Sequence, residues 1–179
     1  MIILVGASAS GKTEVCKALC YTYGFKKFVT TTTRKIRPGE IEGVDYFFVD
    51  EEEFKRKIKE DNFIEYTNYN DNFYGTEKNQ IDDKTVLIIE PKGLKQFQKI
   101  KDNHIVSFLL VANKDVRRER MIFRGDSLES IESRLTCDDY NFSKRQVGKV
   151  DFIIPSDNLG ILELSKKIYD LYKEKIKED

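Results

Sequence analysis

Gly6-Ala7-Ser8-Ala9-Ser10-Gly11-Lys12-Thr13 has the residue types and spacing of a phosphate cradle, G-x-x-x-x-G-K-[ST]. Glycines let the backbone curl until several N–H groups face one anion. A helix opening at the loop's end adds partial positive charge. The Lys12 ammonium has the reach for the β- and γ-phosphates of a nucleoside triphosphate, and the Thr13 hydroxyl is placed to hold Mg²⁺. An ordinary Gly/Ser-rich turn is the alternative, and the flanking residues argue against it. Apolar Met1–Val5 reads as a buried strand leading in. Glu14–Tyr23 reads as a helix leading out, with Val15, Ala18, Leu19 and Thr22 on one face. The loop specifies a triphosphate and leaves the reaction open.

A second group of anion-binding side chains lies further on. Arg34, Arg37, Tyr46 and Tyr74 stand in a polar, aromatic stretch running from Thr32 to about Asp83. Guanidinium forks fit phosphate oxygens, and phenols donate to them, so the set suits a second, smaller phosphate group. On residue types alone, a solvated basic loop stiffened by Pro38 fits equally well, with the tyrosines in a small core. A third stretch, from about Arg117 to Lys149, is Arg-rich and helical, with Gly125-Asp126-Ser127 as a break. Arg120 and Arg124 lie one turn apart on one face there, and Arg134 follows. Pairing with Glu119, Glu129 or Glu132 is the structural alternative for these arginines, and Arg117 and Arg118 suit that role best.

These groups need a scaffold, and apolar β-rich runs supply it: Met1–Val5, Lys27–Thr31, Thr85–Ile89, Ile105–Val111 and Phe152–Pro155. Helical patterns separate or follow them at Glu14–Tyr23, Leu94–Ile100, Asp115–Phe123 and Leu159–Ile176. The last carries Leu159, Leu162, Ile168, Leu171, Tyr172 and Ile176 at helical spacing. Runs that are apolar throughout suit parallel strands covered on both faces, so the fold class is α/β, a layered core around a parallel sheet. Val44–Val49 and Phe63–Tyr69 read as strands of a smaller mixed sheet. Between them Asp50 and Glu53 mark a capping box for a helix over Glu51–Lys59, and Asn70-Asp71-Asn72 reads as a turn.

Length fits one domain, 1–179. The 31 basic and 31 acidic residues balance, so no global nucleic-acid or membrane signature exists. No run nears the roughly 20 apolar residues of a membrane span, and no signal peptide is expected before the first strand. Cys16, Cys20 and Cys137 form no metal-like cluster and fit a reducing compartment, so a cytoplasmic location is expected.

Thr30-Thr31-Thr32-Thr33-Arg34-Lys35-Ile36-Arg37-Pro38-Gly39-Glu40-Ile41-Glu42-Gly43-Val44-Asp45-Tyr46-Phe47-Phe48-Val49 resembles the guanylate kinase acceptor-site signature, and "FIEY…NFYGT" at 63–76 resembles its second half. The likeness runs in family order from residue 3 to about 160. It implies a parallel five-stranded P-loop core sheet flanked by helices (about 1–31, 84–116 and 150–179). A small mixed β GMP-binding insert (about 32–83) and a helical lid (about 117–149) complete the implied fold. It implies that Arg34, Arg37, Tyr46 and Tyr74 grip the GMP phosphate. Glu65 would take the guanine N1–H and N2–H₂ donors, with Thr30 and Thr76 as hydroxyl partners. Arg120, Arg124 and Arg134 would surround the nucleotide phosphates, with Lys12, Arg37, Arg124 and Arg134 as the catalytic cations. The implied reaction is Mg²⁺-dependent transfer from ATP to GMP or dGMP, in a monomer or homodimer, with an open apo form that closes on its nucleotides. A non-catalytic guanylate kinase-like phosphopeptide-binding module, or a P-loop kinase with another acceptor, is the alternative.

Departures from the family pattern stand beside the match. Ile88 occupies an acidic position, Glu90 replaces a shorter Asp, and Lys92 stands where Gln is common. Glu90 is placed to contact the base amino group or a Mg²⁺-bound water. Pro155-Ser156-Asp157 replaces an [IV]-N-[DG] segment tied to adenine, which makes Ser156 the donor-base candidate. Asn113-Lys114-Asp115 is one residue short of a GTPase guanine reader and reads as a helix N-cap. His104 takes no role.

Overall fold

The computed structural model describes residues 1–36, 40–69, 72–100, 102 and 104–177. The chain opens with β1 (Ile2–Gly6), α1 (Lys12–Tyr23), β2 (Lys26–Lys27) and β3 (Thr31–Thr32). There follow β4 (Phe47–Phe48), α2 (Glu51–Lys59), β5 (Phe63–Tyr69) and β6 (Asn72–Glu77). Then come β7 (Thr85–Ile88), α3 (Pro91–Phe97), β8 (Val106–Val111), α4 (Lys114–Phe123) and α5 (Leu128–Asn141). The last elements are α6 (Lys144–Val147), β9 (Phe152–Pro155) and α7 (Ile161–Lys175).

A five-stranded sheet in the order β2-β7-β1-β8-β9 is parallel at every pairing. β1 is central, and its alternate residues feed two cores. Ile2 and Leu4 join Val15, Leu19, Phe108 and Ile168 under α1 and α7. Met1, Ile3 and Val5 join Phe28, Leu87, Leu94 and Phe97 under α3. Helices on both faces are why the strand is apolar at every position rather than alternating. Strand succession crosses from one side of β1 to the other between β7 and β8. The glycine loop therefore leaves β1 at the sheet's switch point, where ligands bind in such folds. Among the described residues no helix is long and apolar enough to cross a membrane.

A second, mixed sheet has the order β4-β3-β6-β5. β3 pairs parallel to β4 and antiparallel to β6, and β5 pairs antiparallel to β6. α2 covers it with Phe54, which is fully buried and stacks on Phe63 and Phe73 at 4.5 and 5.3 Å. Asp50 caps α2 by accepting from the Glu53 N–H at 2.7 Å. The return half of the capping box is replaced, because the Glu53 carboxylate goes to Arg56.

Several local expectations need correction. The run Lys27–Thr31 is not one strand. Lys26–Lys27 pairs with β7 in the core, whereas Thr31–Thr32 belongs to the second sheet, so the chain changes sheets between them. Threonine side chains drive the departure: Thr31 donates to the buried Glu77 carboxylate and Thr32 donates to the Phe73 carbonyl. Val44–Val49 shortens to Phe47–Phe48, because the Ile41 N–H and carbonyl bind Asp45 and close a turn there. α3 starts early, with Pro91 at the first helical position. On α7 the buried stripe is Leu164, Ile168 and Tyr172, and Leu162 faces solvent, as does Thr22 on α1. Asn70 and Asp71 of the expected turn lie outside the described residues.

Gly75 of β6 shows how tightly the second sheet is packed. A Cβ there would lie 2.6 and 2.7 Å from the Phe63 ring and 2.9 Å from the Phe54 ring. Both rings are buried and mutually stacked, so neither has room to yield. Gly75→Ala is expected to cost about 2 kcal/mol by overpacking. That corresponds to a Tm lower by roughly 4–8 °C, which calorimetry reads directly.

Candidate active site

The glycine loop is held by β8, α4, the end of β9 and α5. At its start, a Cβ on Gly6 would meet the Leu110 carbonyl oxygen of β8 at 2.5 Å, so only glycine fits. From α4, Arg120 donates to the Ala9 carbonyl at 3.1 Å and to the Ser156 carbonyl at 2.7 Å. After β9, the buried Ser156 hydroxyl donates to the Ser10 carbonyl at 2.9 Å. Arg120 and Ser156 thus buttress the loop backbone. From α5, Asp138 accepts from the Ser8 N–H at 2.8 Å.

The loop's inner side is built for an anion. Gly11 is the N-cap of α1 at φ 99°, ψ 0°, and no side chain caps the helix. The first-turn N–H groups of a 12-residue helix are therefore left for a ligand. The half-buried Lys12 ammonium donates back to the Gly6 carbonyl, and to the Ala7 carbonyl at 2.9 Å. Burial lowers its pKa from 10.5 to about 8, Glu90 and Asp138 pull it back up, and Arg117 pushes it down. Thr13 is exposed beside it, and Glu90 is exposed at the N-cap of α3. Thr13 and Glu90 give the hard oxygen donors that Mg²⁺ takes alongside phosphate oxygens.

The second sheet brings most of the other set together. The Arg34 guanidinium lies over the Tyr46 ring at 5.3 Å, and Tyr46 meets Tyr74 edge-on at 6.2 Å. Arg34 also donates to Glu40 at 2.6 Å, a carboxylate standing where a phosphate oxygen would serve equally. Arg37 lies outside the described residues. Glu65 of β5 accepts from the Thr76 hydroxyl of β6 at 2.6 Å, and the two residues are register partners. Burial pushes the Glu65 carboxyl up, and the Thr76 bond partly offsets that. Gly93 of α3 lies close by, packed under Ile89: a Cβ there would lie 2.3 Å from the Ile89 side chain and 3.6 Å from the Glu65 carboxyl carbon. Thr30 is half-buried just before β3, and its carbonyl accepts from the Phe47 N–H.

Arg124 and Arg134 are joined through one carboxylate. Arg124 donates to both oxygens of Asp126, and Arg134 lies 3.3 Å from it. Both side chains remain about half exposed, at 52% and 48%. Arg118 does pair with Glu132, as expected of a structural arginine, but across two helices and 14 positions rather than within one turn. Arg117 does not pair with Glu119, Glu129 or Glu132; it is buried against Asp138 at 3.0 Å and Asp139 at 3.6 Å. Asp126, Asp138 and Glu40 are site carboxylates that sequence reasoning missed. Asp138 had only its i,i+4 place after Arg134 to mark it, whereas Glu40 stood inside the quoted signature.

A glycine loop at the switch point of a parallel sheet, closing on an uncapped helix start and a half-buried lysine, defines a P-loop phosphate-transfer fold. A family model described as guanylate kinase matches residues 1–170, and the chain belongs to the guanylate kinase family of nucleoside monophosphate kinases. It is 39% identical over 142 residues to guanylate kinase from Fusobacterium nucleatum, covering 75% of this chain and 77% of that protein. It is 30% identical to guanylate kinase from Clostridioides difficile, covering 98% and 97%. The crystal structure of guanylate kinase from Anaplasma phagocytophilum superposes with a TM-score of 0.70 at 27% identity, covering 98% of this chain and 85% of that one.

Proposed function

We propose that the chain transfers the γ-phosphate of ATP to GMP or dGMP, giving ADP and GDP or dGDP, with Mg²⁺. The observation that carries this reading is the Glu65–Thr76 pair, a part-buried carboxylate and hydroxyl held 2.6 Å apart on adjoining strands. Guanine supplies two donors for such a carboxylate and an O6 acceptor for a hydroxyl; adenine presents a bare N1 lone pair instead. The second sheet acts as the acceptor insert, and α4 to α6 act as the lid.

The α1 start and Lys12 bind the triphosphate. Thr13 would hold Mg²⁺, with Glu90 available to one of its waters, and the ion when bound would supply positive charge to the triphosphate oxygens. Arg34, Tyr46 and Tyr74, with Arg37, orient the acceptor phosphate for in-line attack. That phosphate oxygen is already anionic, so no general base is required. Arg124 and Arg134 exchange Asp126 for the transferring phosphoryl group as the site closes, and closure excludes water that would hydrolyse ATP. The reaction suits the cytoplasm, where nucleotide pools are kept.

A coupled assay of ADP release across GMP, dGMP, AMP, CMP and UMP tests the reading. Turnover confined to GMP and dGMP is expected. Turnover of AMP alone, or ATP binding with no transfer to any of them, would overturn it. The second case would favour the phosphopeptide-binding alternative.

A further inference from the structure

One oxygen atom ties three parts of the molecule together. Asp138 Oδ2, on α5, accepts from the Ser8 N–H of the glycine loop at 2.8 Å and from Arg117 Nη1 of α4 at 3.0 Å. The Arg117 and Asp138 residues are only 5% and 8% exposed. Arg117 Nε is buried with no partner among the described residues, so the guanidinium is held there by its carboxylates alone. Joining α4 to α5 does not need this pair. Met121, Ile131 and Leu135 already form an apolar core between the two helices, and Arg118 pairs with Glu132 on their exposed side. The bond to Ser8 is what Asp138 adds.

We propose that Asp138 is a positioning residue for phosphoryl transfer, a latch by which the lid helix holds the outer edge of the glycine loop and, through it, Lys12. This rests on the kinase reading above. Asp138 touches no reacting atom. It acts by fixing the Ser8 N–H and by balancing Arg117 next to the phosphate site. Removing Asp138 therefore frees the Ser8 N–H and loosens the loop that carries Lys12.

Asp138→Ala in the full chain is tested by steady-state kinetics with ATP and GMP. Expected is a kcat roughly 10- to 10²-fold lower, the scale of a small misplacement of a phosphate-binding group, with the GMP KM unchanged. Glu132→Gln, on the exposed face of the same helix, moves neither. An unchanged kcat, or a fall in kcat matched by an equal rise in the GMP KM, would overturn the proposal.

Asp138→Ala leaves a buried guanidinium short of a counter-charge, so misfolding must be separated from mispositioning. The double variant R117M/D138L replaces the pair with apolar side chains, a change that buried ion pairs often tolerate. Its Tm is expected to match or exceed the wild type while kcat stays low. Recovery of both would show that the pair only holds the fold, and would overturn the latch. Hydrogen exchange at the Ser8 amide reads the latch without turnover, so it stands even if wild type phosphorylates no nucleotide. Exchange at least about tenfold faster in Asp138→Ala is expected, because alanine leaves the Ser8 N–H no side-chain acceptor. Equal exchange would overturn the proposal.

Discussion

Lys12→Ala is expected to lower kcat by about 10²–10³-fold, the loss that follows when a preorganised donor to developing charge is removed. The ammonium now spans the Gly6 and Ala7 carbonyls, which keeps it at the loop mouth and ready to turn to phosphate oxygens. The GMP KM should hardly change, since the acceptor side chains lie on the second sheet. Steady-state kinetics with each substrate varied in turn checks both statements. A variant retaining full kcat would remove Lys12 from the transfer step.

The same residue sets an alkaline limit. Burial lowers the Lys12 pKa to about 8 in the free protein, and a bound triphosphate raises it again. Below that pH the cation is present before binding. Above it, ATP must bind together with a proton, so kcat/KM for ATP falls about tenfold per pH unit. Calorimetry in two buffers of different ionisation enthalpy should show proton uptake on ATP binding above about pH 8. For stability the sign is opposite. Between about 8 and 10.5 the unfolded chain binds more protons at Lys12 than the folded one, so this residue's contribution to stability rises with pH. Lys12→Ala removes a desolvated charge and should leave Tm unchanged or higher while abolishing most activity. That combination distinguishes a lost catalytic cation from a lost fold.

Which parts of this were legible in the sequence depends on where the determining contacts lie. The glycine loop is contiguous, and its strand and helix neighbours carry local signals, so residues 6–13 fix it almost alone. β5 and α2 were legible to the residue, because alternation and the Asp50 cap are local. The α7 face was misread, because Leu162 and Leu164 are both apolar and only packing against β8 and α1 decides which is buried. Splitting of Lys27–Thr31 between two sheets depended on Glu77 and Phe73, more than forty positions away. The Ser8–Asp138 bond spans 130 positions and involves a backbone N–H, which no residue pattern records. Arg124 and Arg134 were grouped by charge, yet their meeting at Asp126 required the turn at Gly125, where φ is +85°.

Glu65→Ala is expected to have the largest effect on the acceptor side. If the Glu65 carboxylate takes both the N1–H and N2–H₂ of guanine, two charge-assisted bonds at about 1.5–3 kcal/mol each are lost together. At about 1.4 kcal/mol per factor of ten, that is roughly a 10²–10⁴-fold fall in kcat/KM for GMP, with the ATP KM spared. Glu65→Gln separates charge from shape. Glutamine can still accept from the Thr76 hydroxyl, so β5 and β6 stay registered, and its amide offers one donor and one acceptor. Adenine's N1 and N6 edge matches that pattern better than guanine's does, so the GMP-to-AMP preference should shrink. Acid should imitate the loss. Burial has already pushed the Glu65 carboxyl up, so protonation begins above the ordinary range and removes an acceptor that guanine needs. The GMP KM should therefore rise as pH falls towards that raised pKa in the wild type, and stay flat in Glu65→Gln. A GMP KM that rises equally in both would assign the acid limb to the nucleotide phosphate rather than to Glu65.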